Sequence, residues 1–569
     1  MLAAKRSHRI VLAALAAAIL YLPGLGRPPL WEPDEGRYGE IAREMVDSGD
    51  YVTPRDNFEV YLEKPPLVYW AEAAAVKVLG PDELAVRLPA ALFSIGEVAI
   101  VAVLAESIGG VTAGIYAAIA LALSPLFFGF ARFATLDPAL AFFLTAAMGA
   151  FYAAAQGESF DTAGRRMWML VSAGMLAFGT LSKGPVAILL GGAIALIWLA
   201  IEGRLRTVAR MPLLGCVAVF SVIAIPWFVQ AEARNPGFLR FFFIHEHLQR
   251  YTNLQEHGWG PWFFIPVTIA GAWPWIVFSP VGLAGMWRNR DDAAQRSAAR
   301  FIAVWFVVIF IFFSIPRSKL GTYILPAFPP LAIAAGCGMA QLAASGGLLW
   351  RRIIARTAML SGFIAVVGAA VIMIVVYPKQ PELARDGILI ALALAAGAAV
   401  MYAIGRRGVA HAPYAIGAMA MAMVAAAGVS SRARMDAAPM VSYRELARAA
   451  APYLKTGCEL ASYRHLVQAI PFYTHVRELR VEYRGELAEF VPSDTSAEIP
   501  SEAKLRERWN NAACMVLIAN RVDLPGLTGS LQPAPKIIGC EGKKFALYKG
   551  DAPAPPEAAD CLNRAPSGS

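Results

Sequence analysis

The amino-acid sequence predicts a mainly α-helical protein that crosses a membrane about 13 times and carries a small soluble α/β domain at its end. Of its 569 residues, 57% are apolar and only 16% are charged, whereas a soluble protein has roughly 45–50% and about 25%. The apolar residues come in blocks of about 18–25, a length that crosses a bilayer as a helix. From residue 431 onward the composition is that of an ordinary soluble domain. A disordered chain and a wholly soluble enzyme are therefore excluded.

The apolar blocks are separated by short connectors that are basic or rich in glycine and proline. The first block follows Lys5, Arg6 and Arg9, as the core of a signal peptide would. It ends at Pro23 and Gly24 without a small-residue cleavage site, so we count it as a span. The predicted spans lie near residues 10–25, 84–106, 111–130, 137–156, 167–182, 184–201, 211–230, 262–286, 300–316, 321–343, 353–377, 387–404 and 412–430.

Positive charge is concentrated in alternate connectors, for example at 204–210 and 351–356. Because connectors rich in Lys and Arg stay on the cytoplasmic side, the N-terminus is predicted to be cytoplasmic. The loops 26–83 and 231–261 and the tail 431–569 then lie on the opposite side. The net charge of +9 follows from this topology, so we do not interpret it as nucleic-acid binding.

We divide the chain at residue 430, with a membrane domain over 1–430 that includes both long outer loops and a soluble domain over 431–569. The tail has the alternation of helical stretches and short apolar runs that is typical of an α/β domain. Its predicted elements are the helices 442–454 and 502–510 and the apolar runs 460–463, 514–519 and 545–548.

Four cysteines lie in the tail, at Cys458, Cys514, Cys540 and Cys561. An even number outside the cytoplasm favours two disulfides, because disulfides persist in oxidising compartments. Four cysteines allow three pairings, and the sequence does not choose among them. A zinc site is the alternative, but the tail contains no CxxC spacing to favour it.

The first outer loop holds the densest group of polar residues beside the apolar blocks. It begins at 31–38 (WEPDEGRY) and continues with apolar residues at helical spacing as far as Gly49. This pattern predicts a short amphipathic helix that lies at the membrane interface, with Asp34 at its N-cap position. A second segment, 63–70, leads into another short helix that stops at Gly80.

The charges of this loop favour a phosphate site over a purely structural role. A helix N-terminus with Arg and Lys nearby binds phosphate well, and adjacent carboxylates bind divalent cations or steer an attacking group. Taken singly, Asp34 is equally explained as a helix cap, and Arg37 and Lys64 as side chains that reach the membrane surface. The charged residues grouped here are Glu32, Asp34, Glu35, Arg37, Glu63 and Lys64.

These residues also carry a resemblance to a known family. The stretch 32–35 (EPDE), at the start of a long first outer loop, resembles the acidic motif of the GT-C glycosyltransferases, which take sugars from polyprenyl-phosphate carriers. Within that class the chain resembles the aminoarabinose transferases that modify lipid A. The resemblance covers about residues 1–430, and in the tail it extends only to the architecture. The stretches that carry it are 31–38 (WEPDEGRY), 61–66 (YLEKPP), 241–251 (FFFIHEHLQRY) and 318–326 (SKLGTYILP).

The resemblance implies a GT-C fold and a reaction between two lipids. An enzyme of this family moves 4-amino-4-deoxy-L-arabinose from undecaprenyl phosphate to a phosphate of lipid A, with inversion at the sugar. It works at the periplasmic face of the bacterial inner membrane, lowers the negative charge of lipopolysaccharide and confers resistance to polymyxin. The expected partners are the lipid-linked sugar, lipid A and membrane lipids, without nucleic acid, and we expect a monomer.

Such a transfer calls for cations that stabilise the phosphate leaving group. On this interpretation Arg37 binds the carrier phosphate in a bidentate manner and Lys64 binds it as a point charge. Tyr323 adds a hydroxyl donor near Lys319, which is a further substrate-binding candidate. Lys183, in a turn between two spans, is expected to steer phosphates, although it is also explained as a marker of the membrane boundary.

Asp34 is the expected catalytic carboxylate, because the family's acidic motif aligns on it. Asp137 resembles the second acidic position of the class, and its alternative role is a helix cap before a proline. Glu63 is a third catalytic candidate and a metal ligand together with His245. That metal would be zinc or magnesium, and imidazole ligation favours zinc. Alternatively, the histidines of this loop, which include His257, hold the loop or meet lipid headgroups.

Two other functions compete with this prediction. Another GT-C enzyme could use a different acceptor, such as a protein hydroxyl, and would then need a stronger base at the attacking oxygen. A transporter of lipid-linked sugars would show internal repeats and interrupted spans near the middle of the membrane. No convincing repeat is present, and the polar residues gather at one face, which favours an interfacial enzyme.

Overall fold

The computed structural model is mainly helical and divides into two compact units. The helical unit comprises Met1–Leu25, Leu88–Ala233 and Leu239–Ala433, and the loop–tail unit comprises Gly26–Arg87, Arg234–Phe238 and Arg434–Ser569. The residues that the structure describes are 2–156, 162–249, 258–289, 291–345, 347–483 and 497–561.

Long apolar helices form the helical unit, and each predicted span overlaps helical residues. The α-helices that build it are Leu2–Tyr21, Glu83–Gly109, Val111–Ala122, Pro125–Phe130, Asp137–Ala155, Ala163–Lys183, Val186–Ile201, Leu213–Arg234, Phe264–Gly271, Ser279–Arg288, Ala293–Ser314, Phe328–Ser345, Leu348–Val371, Pro381–Gly405 and Ala412–Asp436. Shorter 3₁₀ or π segments are Leu205–Arg210, Phe241–Gln249, Pro261–Phe263, Trp275–Phe278, Gly321–Ala327, Ile372–Val376 and Val409–His411.

Among the described residues, eight helices are long and apolar enough to cross a membrane. The count rises to nine if the pair Pro261–Gly271 and Trp275–Arg288, which bends by 98°, is one broken span. Shorter apolar helices occupy further predicted spans, at His8–Tyr21, Val111–Ala122 and Val186–Ile201. The multi-pass helical class is therefore confirmed, and the number of 13 spans stays a prediction.

The tail part of the loop–tail unit is built on a six-stranded mixed sheet. Across the sheet, the first four strands are parallel to one another, and the fifth strand is antiparallel to both of its neighbours, the fourth and the sixth. The strands lie in the order Glu498–Ile499, Glu478–Val481, Glu459–Tyr463, Met515–Asn520, Lys544–Lys549 and Lys536–Glu541. The tail helices are Ala438–Val441, Arg444–Leu454, Ala469–Thr474, Glu502–Asn511 and Leu524–Ser530, with 3₁₀ turns at Arg521–Asp523 and Pro556–Asp560.

Both faces of this sheet are buried, as its near-continuous apolar strands require. Met515, Leu517 and Ala519 pack into one core cluster. Val516 and Ile518, which alternate with them, pack into the cluster on the other face. The prediction of an α/β domain in the tail is therefore confirmed.

The first outer loop contains two helices, Asp34–Ser48 and Leu67–Leu79, which we call the first and second loop helices. They end at Gly49 and Gly80, where the sequence predicted them to end, and both glycines have positive φ. A short hairpin, Arg55–Asp56 with Glu59–Val60, lies between the two helices.

The division into units differs from the boundary predicted at residue 430, because the first outer loop groups with the tail instead of with the apolar helices. The apolar residues Ile41, Ala42 and Met45 of the first loop helix are buried. That helix packs against the second loop helix and against Ala469–Thr474 of the tail. Protein surface, and not only a membrane interface, therefore receives the apolar face of this helix.

The structure selects one of the three possible disulfide pairings in the tail. Cys458 pairs with Cys514, with Cα atoms 4.8 Å apart, and Cys540 pairs with Cys561 at 5.7 Å. The first disulfide joins the positions just before two neighbouring parallel strands, Glu459–Tyr463 and Met515–Asn520. Such a pairing cannot be deduced from spacing, because strand order brings the cysteines together.

The two disulfides are predicted to stabilise the tail unequally. Their sequence separations of 56 and 21 residues correspond to about 4 and about 3 kcal/mol of lost loop-closure entropy in the unfolded chain. Thermal unfolding of the purified protein should therefore show a larger loss for the double variant Cys458→Ser/Cys514→Ser than for Cys540→Ser/Cys561→Ser. The free cysteine Cys216, changed to serine, is the control, and equal losses in the two double variants would contradict the prediction.

Candidate functional site

Asp34 is the first residue of the first loop helix, and the residue at the cap position is Pro33. The prediction that Asp34 occupies the N-cap is therefore wrong by one position, because Pro33 already has helical backbone angles. A carboxylate in the first turn is still favoured by the helix dipole. Asp34 is half-buried at the start of the helix.

Glu35, the next carboxylate of the motif, is fully buried and forms an ion pair with Arg87. The guanidinium donates from Nε to Oε1 at 2.7 Å and from Nη2 to Oε2 at 2.6 Å, a bidentate pair. Arg87 also donates to the carbonyl oxygens of Pro28 and Pro29, at 2.5 and 2.7 Å. Glu35 therefore holds the beginning of the loop in place.

Glu32, the first carboxylate of the motif, caps a helix of the tail. Its two oxygens accept hydrogen bonds from the backbone N–H groups of Ala469, at 2.6 Å, and Gln468, at 3.1 Å. Burial raises the pKa of Glu32 to about 7, and these two backbone hydrogen bonds oppose the rise. Glu32 and Glu35 thus both have structural partners.

Arg37, Glu63 and Lys64 come together around a tyrosine, and we call these four residues the loop cluster. The Tyr61 hydroxyl donates to Glu63 Oε2 at 3.1 Å. Arg37 donates to that hydroxyl at 3.5 Å, and its guanidinium carbon lies 5.6 Å from the ring centroid. Lys64 Nζ lies 3.8 Å from Glu63 Oε2.

Tyr61 was not singled out in the sequence, although it belongs to the stretch 61–66. Burial, followed by the charge of Glu63, raises the pKa of Tyr61 well above its usual range, so the hydroxyl stays protonated and donates. Its position two residues before Glu63 in an extended segment, which puts both side chains on one side, was the signal that could have indicated it.

Asp137, Lys183 and Tyr323 form a second group in the helical unit, the helix-end cluster. Asp137 begins the helix Asp137–Ala155, and Lys183 ends the helix Ala163–Lys183. Lys183 Nζ lies 2.5 Å from Asp137 Oδ1 and 4.3 Å from the centroid of the Tyr323 ring. Asp137 Oδ2 also accepts a hydrogen bond from Thr135 at 3.2 Å. Both ionised side chains are largely buried, so this pair is better desolvated than a surface ion pair.

Lys319, which was predicted to bind substrate, contacts backbone carbonyl oxygens of the protein. It is 1% exposed, and its ammonium donates to the carbonyl oxygens of Trp259 and Pro316. Burial lowers its pKa. These contacts hold the segment 316–319 against Trp259, so Lys319 is a structural residue in this structure.

Within the described residues, no group of three or more His, Cys, Asp or Glu side chains could hold a metal ion. His245 lies 3.7 Å from Glu246 and stacks on Phe241. Glu63 accepts a hydrogen bond from Tyr61, and a metal held by Glu63 and His245 stays a prediction. His257 and residues 250–251 of the predicted motif lie outside the described residues.

The two clusters share one chemical character, which is a lysine held beside a carboxylate and a tyrosine. A lysine beside a carboxylate is oriented by that ion pair without a bound ligand. An anionic group that enters can then exchange the carboxylate partner for its own oxygens. Phosphate is the anion that such Lys and Arg groups bind best.

Replacing Arg87 by methionine should destabilise the protein strongly. The change leaves Glu35 buried without its bidentate partner, which typically costs about 3–5 kcal/mol. Thermal unfolding in detergent measures the effect. Arg448→Met is the control, because the Arg448–Glu445 pair is exposed on both sides and is expected to contribute about 0–1 kcal/mol. Similar shifts for the two variants would show that the buried pair does not anchor the loop.

The chain is similar in sequence to known glycosyltransferases. Residues 7–242 match the family model described as dolichyl-phosphate-mannose-protein mannosyltransferase. Among curated relatives, the undecaprenyl phosphate-α-4-amino-4-deoxy-L-arabinose arabinosyl transferase of Enterobacter sp. strain 638 is 31% identical over 377 residues, 65% of each chain. A relative of the same name, numbered 1, from Pseudomonas fluorescens strain Pf0-1 is 34% identical over 328 residues, 57% of this chain and 56% of its own. The chain thus spans less than two thirds of the length of these relatives.

The likeness to solved structures extends over nearly the whole chain. The crystal structure of ArnT from Cupriavidus metallidurans bound to undecaprenyl phosphate superposes with a TM-score of 0.83 and 27% identity, covering 97% of this chain and 99% of the other. The oligosaccharyltransferase of Archaeoglobus fulgidus shares only the fold, with a TM-score of 0.53 and 12% identity over 91% of this chain and 70% of its own. The resemblance inferred from the four sequence stretches, to the GT-C glycosyltransferases and among them to the aminoarabinose transferases, is confirmed by these likenesses.

Proposed function

We propose that the protein transfers 4-amino-4-deoxy-L-arabinose from undecaprenyl phosphate to a phosphate of lipid A. The observation that carries the proposal is the loop cluster, in which two cations and a carboxylate are held around Tyr61. The names of the curated relatives support the sugar and its carrier. The likeness to a protein crystallised with undecaprenyl phosphate supports the donor lipid.

In this reaction an oxygen of the acceptor phosphate attacks the anomeric carbon of the sugar. The bond between that carbon and the carrier phosphate oxygen breaks, and its electron pair leaves with undecaprenyl phosphate. Negative charge therefore grows on the carrier phosphate, where Arg37 and Lys64 would stabilise it. Tyr61 would hold the Arg37 guanidinium and Glu63 in the geometry that this requires.

The attacking phosphate is already anionic, so the proposed mechanism needs no strong general base. Asp34 would then act on the sugar, by stabilising oxocarbenium-like charge or by holding the donor amine. In the helix-end cluster, Lys183 would bind a phosphate oxygen, and Asp137 and Tyr323 would orient it. Inversion at the sugar follows from a single displacement of this kind.

We also propose that the chain lies in the bacterial inner membrane as a monomer, with a cytoplasmic N-terminus and a periplasmic tail and active site. The positive charge of alternate connectors supports this orientation. Two disulfides in the tail support an oxidising compartment for that part of the chain. Added aminoarabinose lowers the negative charge of lipopolysaccharide, which would weaken binding of polymyxin and other cationic peptides.

A protein hydroxyl is the second candidate acceptor, because the matching family model is that of protein mannosyltransferases. A hydroxyl must lose its proton during attack, which requires a general base within hydrogen-bond reach. The carboxylate of the loop cluster, Glu63, is paired with Lys64, and that of the helix-end cluster, Asp137, is paired with Lys183, so each already has a cation as its partner. An anionic acceptor therefore suits these clusters better. A divalent metal at Glu63 and His245 stays a prediction, and no step above depends on it.

Mass spectrometry of lipid A from cells with and without the gene tests the function directly. The expected result is a mass increment of one aminoarabinose on lipid A that disappears with the gene and returns with its expression. An unchanged lipid A spectrum, together with loss of a sugar from an envelope protein, would favour the hydroxyl acceptor instead.

Asp34→Asn and Lys64→Ala should each lower transfer by about 10²-fold or more, because each removes a charge that acts on the transition state. Neither change removes an ion pair of the buried anchor, so the protein should still insert and unfold at nearly the parent temperature. Transfer to lipid A in membranes measures the effect, with the exposed Glu445→Gln as a carboxylate control. Near-normal transfer by Asp34→Asn would assign Asp34 to helix stabilisation alone.

A further inference from the structure

The first loop helix touches the tail at the position of Gly36, between Glu35 and Arg37. A Cβ atom built on Gly36 would lie 2.7 Å from the backbone nitrogen of Ala469 and 2.9 Å from Glu32 Oε1. No side chain fits there without displacing backbone. The helix that carries Asp34 and Arg37 is therefore in backbone contact with the tail helix Ala469–Thr474.

Glu32 holds this contact from both its backbone and its side chain. Its N–H donates to the carbonyl oxygen of Val441 at 2.9 Å. Its carboxylate accepts from the N–H groups of Gln468 and Ala469. These donors are at the start of the tail helix, where backbone N–H groups lack partners within the helix. Asp34 follows only two residues later.

The segment that bears Glu63 and Lys64 is tied to the tail as well. Asn57, at the tip of the loop hairpin, donates to the carbonyl oxygen of Glu478 at 2.9 Å and accepts from its N–H at 2.8 Å. Glu59 pairs with Arg480 of the same tail strand at 2.8 Å. Tyr61 comes directly after the second strand of this hairpin. Both segments that form the loop cluster are therefore held by contacts with the tail.

We propose that the tail is a working part of the transferase site, and that Glu32 is the positioning residue through which the tail holds Asp34 and Arg37. Glu32 touches no substrate in this proposal and acts only by clamping the start of the first loop helix onto Ala469–Thr474. The inference rests on the proposed function, since it assigns Asp34 and Arg37 to the transfer reaction.

The titration of Glu32 gives this clamp a pH dependence. Burial raises its pKa to about 7 from 4.5, and the charged or titratable groups that face it are Arg37, Lys544, Asp56, Glu478 and Tyr443. An ionised carboxylate accepts from both N–H groups, whereas a protonated one presents an O–H that opposes one of them. The clamp is therefore complete above pH 7.

Stability changes in the opposite direction over the same range. Because the folded pKa is higher than the ordinary value, the folded protein binds this proton more tightly than the unfolded chain. The contribution of Glu32 to stability is then fully present below pH 4.5 and is lost as the pH rises through about 7. If the activity rises with pH while the stability falls, Glu32 acts by positioning the first loop helix and not only by stabilising the fold.

Glu541 provides a matched control in the same unit. Its carboxylate accepts from the N–H groups of Glu445 and Leu446, at the start of the helix Arg444–Leu454. Burial raises its pKa to about 7 as well. It resembles Glu32 in its raised pKa and in capping a tail helix, but Glu541 ties that helix to another part of the tail and not to the first outer loop.

The test compares Glu32→Gln, Glu32→Ala, Glu541→Gln and Glu541→Ala in the full-length protein. Glu32→Ala should lower kcat by about 10-fold to 100-fold, because misplacement of reacting groups by about 1 Å has an effect of that size. Glu32→Gln keeps an acceptor but no titration, so the rise of activity through about pH 7 should disappear. The Glu541 variants should lower the unfolding temperature to a similar extent and keep kcat within about twofold.

Two results would overturn the inference. One is a loss of kcat in Glu541→Ala equal to that in Glu32→Ala, and the other is a pH profile of Glu32→Gln that matches the parent. Hydrogen exchange of residues 33–40 is measured in parallel and should rise in Glu32→Ala but not in Glu541→Ala.

The exchange measurement separates failure of this inference from failure of the proposed function. If the parent protein transfers no aminoarabinose, the proposed function is wrong. Unchanged hydrogen exchange in Glu32→Ala would refute the clamp whether or not the parent protein is active.

Discussion

The buried ion pair between Glu35 and Arg87 is the interaction on which the arrangement of the first outer loop depends. Both side chains are fully shielded from water, and desolvation of two charges is repaid only with excellent geometry and further hydrogen bonds. The bidentate contact and the two proline carbonyls supply them. This pair fixes the backbone of residues 28–35 against Arg87, and it thereby fixes the positions of Glu32 and Asp34.

Charged residues are scarce in this chain, and its lysines make different contacts because their neighbours differ. Lys64, Lys183 and Lys319 all occur within two residues of a glycine or proline near an apolar block. Lys64 and Lys183 face carboxylates and tyrosines, whereas Lys319 is occupied by two backbone carbonyls. A lysine with a carboxylate partner can exchange it for a phosphate, but a lysine buried among carbonyls holds only its own backbone.

Sequence patterns located the helices correctly for a simple reason. Apolar blocks of membrane length allow only helices, since every backbone group must be satisfied within the block, and the loop helices end at glycines that L residues rarely replace. The family motif singled out Asp34 among three carboxylates in four residues, but no pattern predicted the partners of Glu32 and Glu35, because those partners lie far away in the chain. Tyr61 was also missed, and the contacts of Lys319 with two carbonyl oxygens were not expected.

The sequence by itself determined the membrane class, the α/β tail, the family resemblance and the short list of charged residues, because hydrophobic length, periodicity and motif are local properties of the chain. The tertiary structure alone decided the disulfide pairs, the grouping of the first outer loop with the tail, and the structural partners of Glu32 and Glu35. These outcomes depend on contacts between separate parts of the chain, and the contact between Glu32 and Ala469 joins residues 437 positions apart. Such contacts are set by strand order and packing, which leave no local pattern in the sequence.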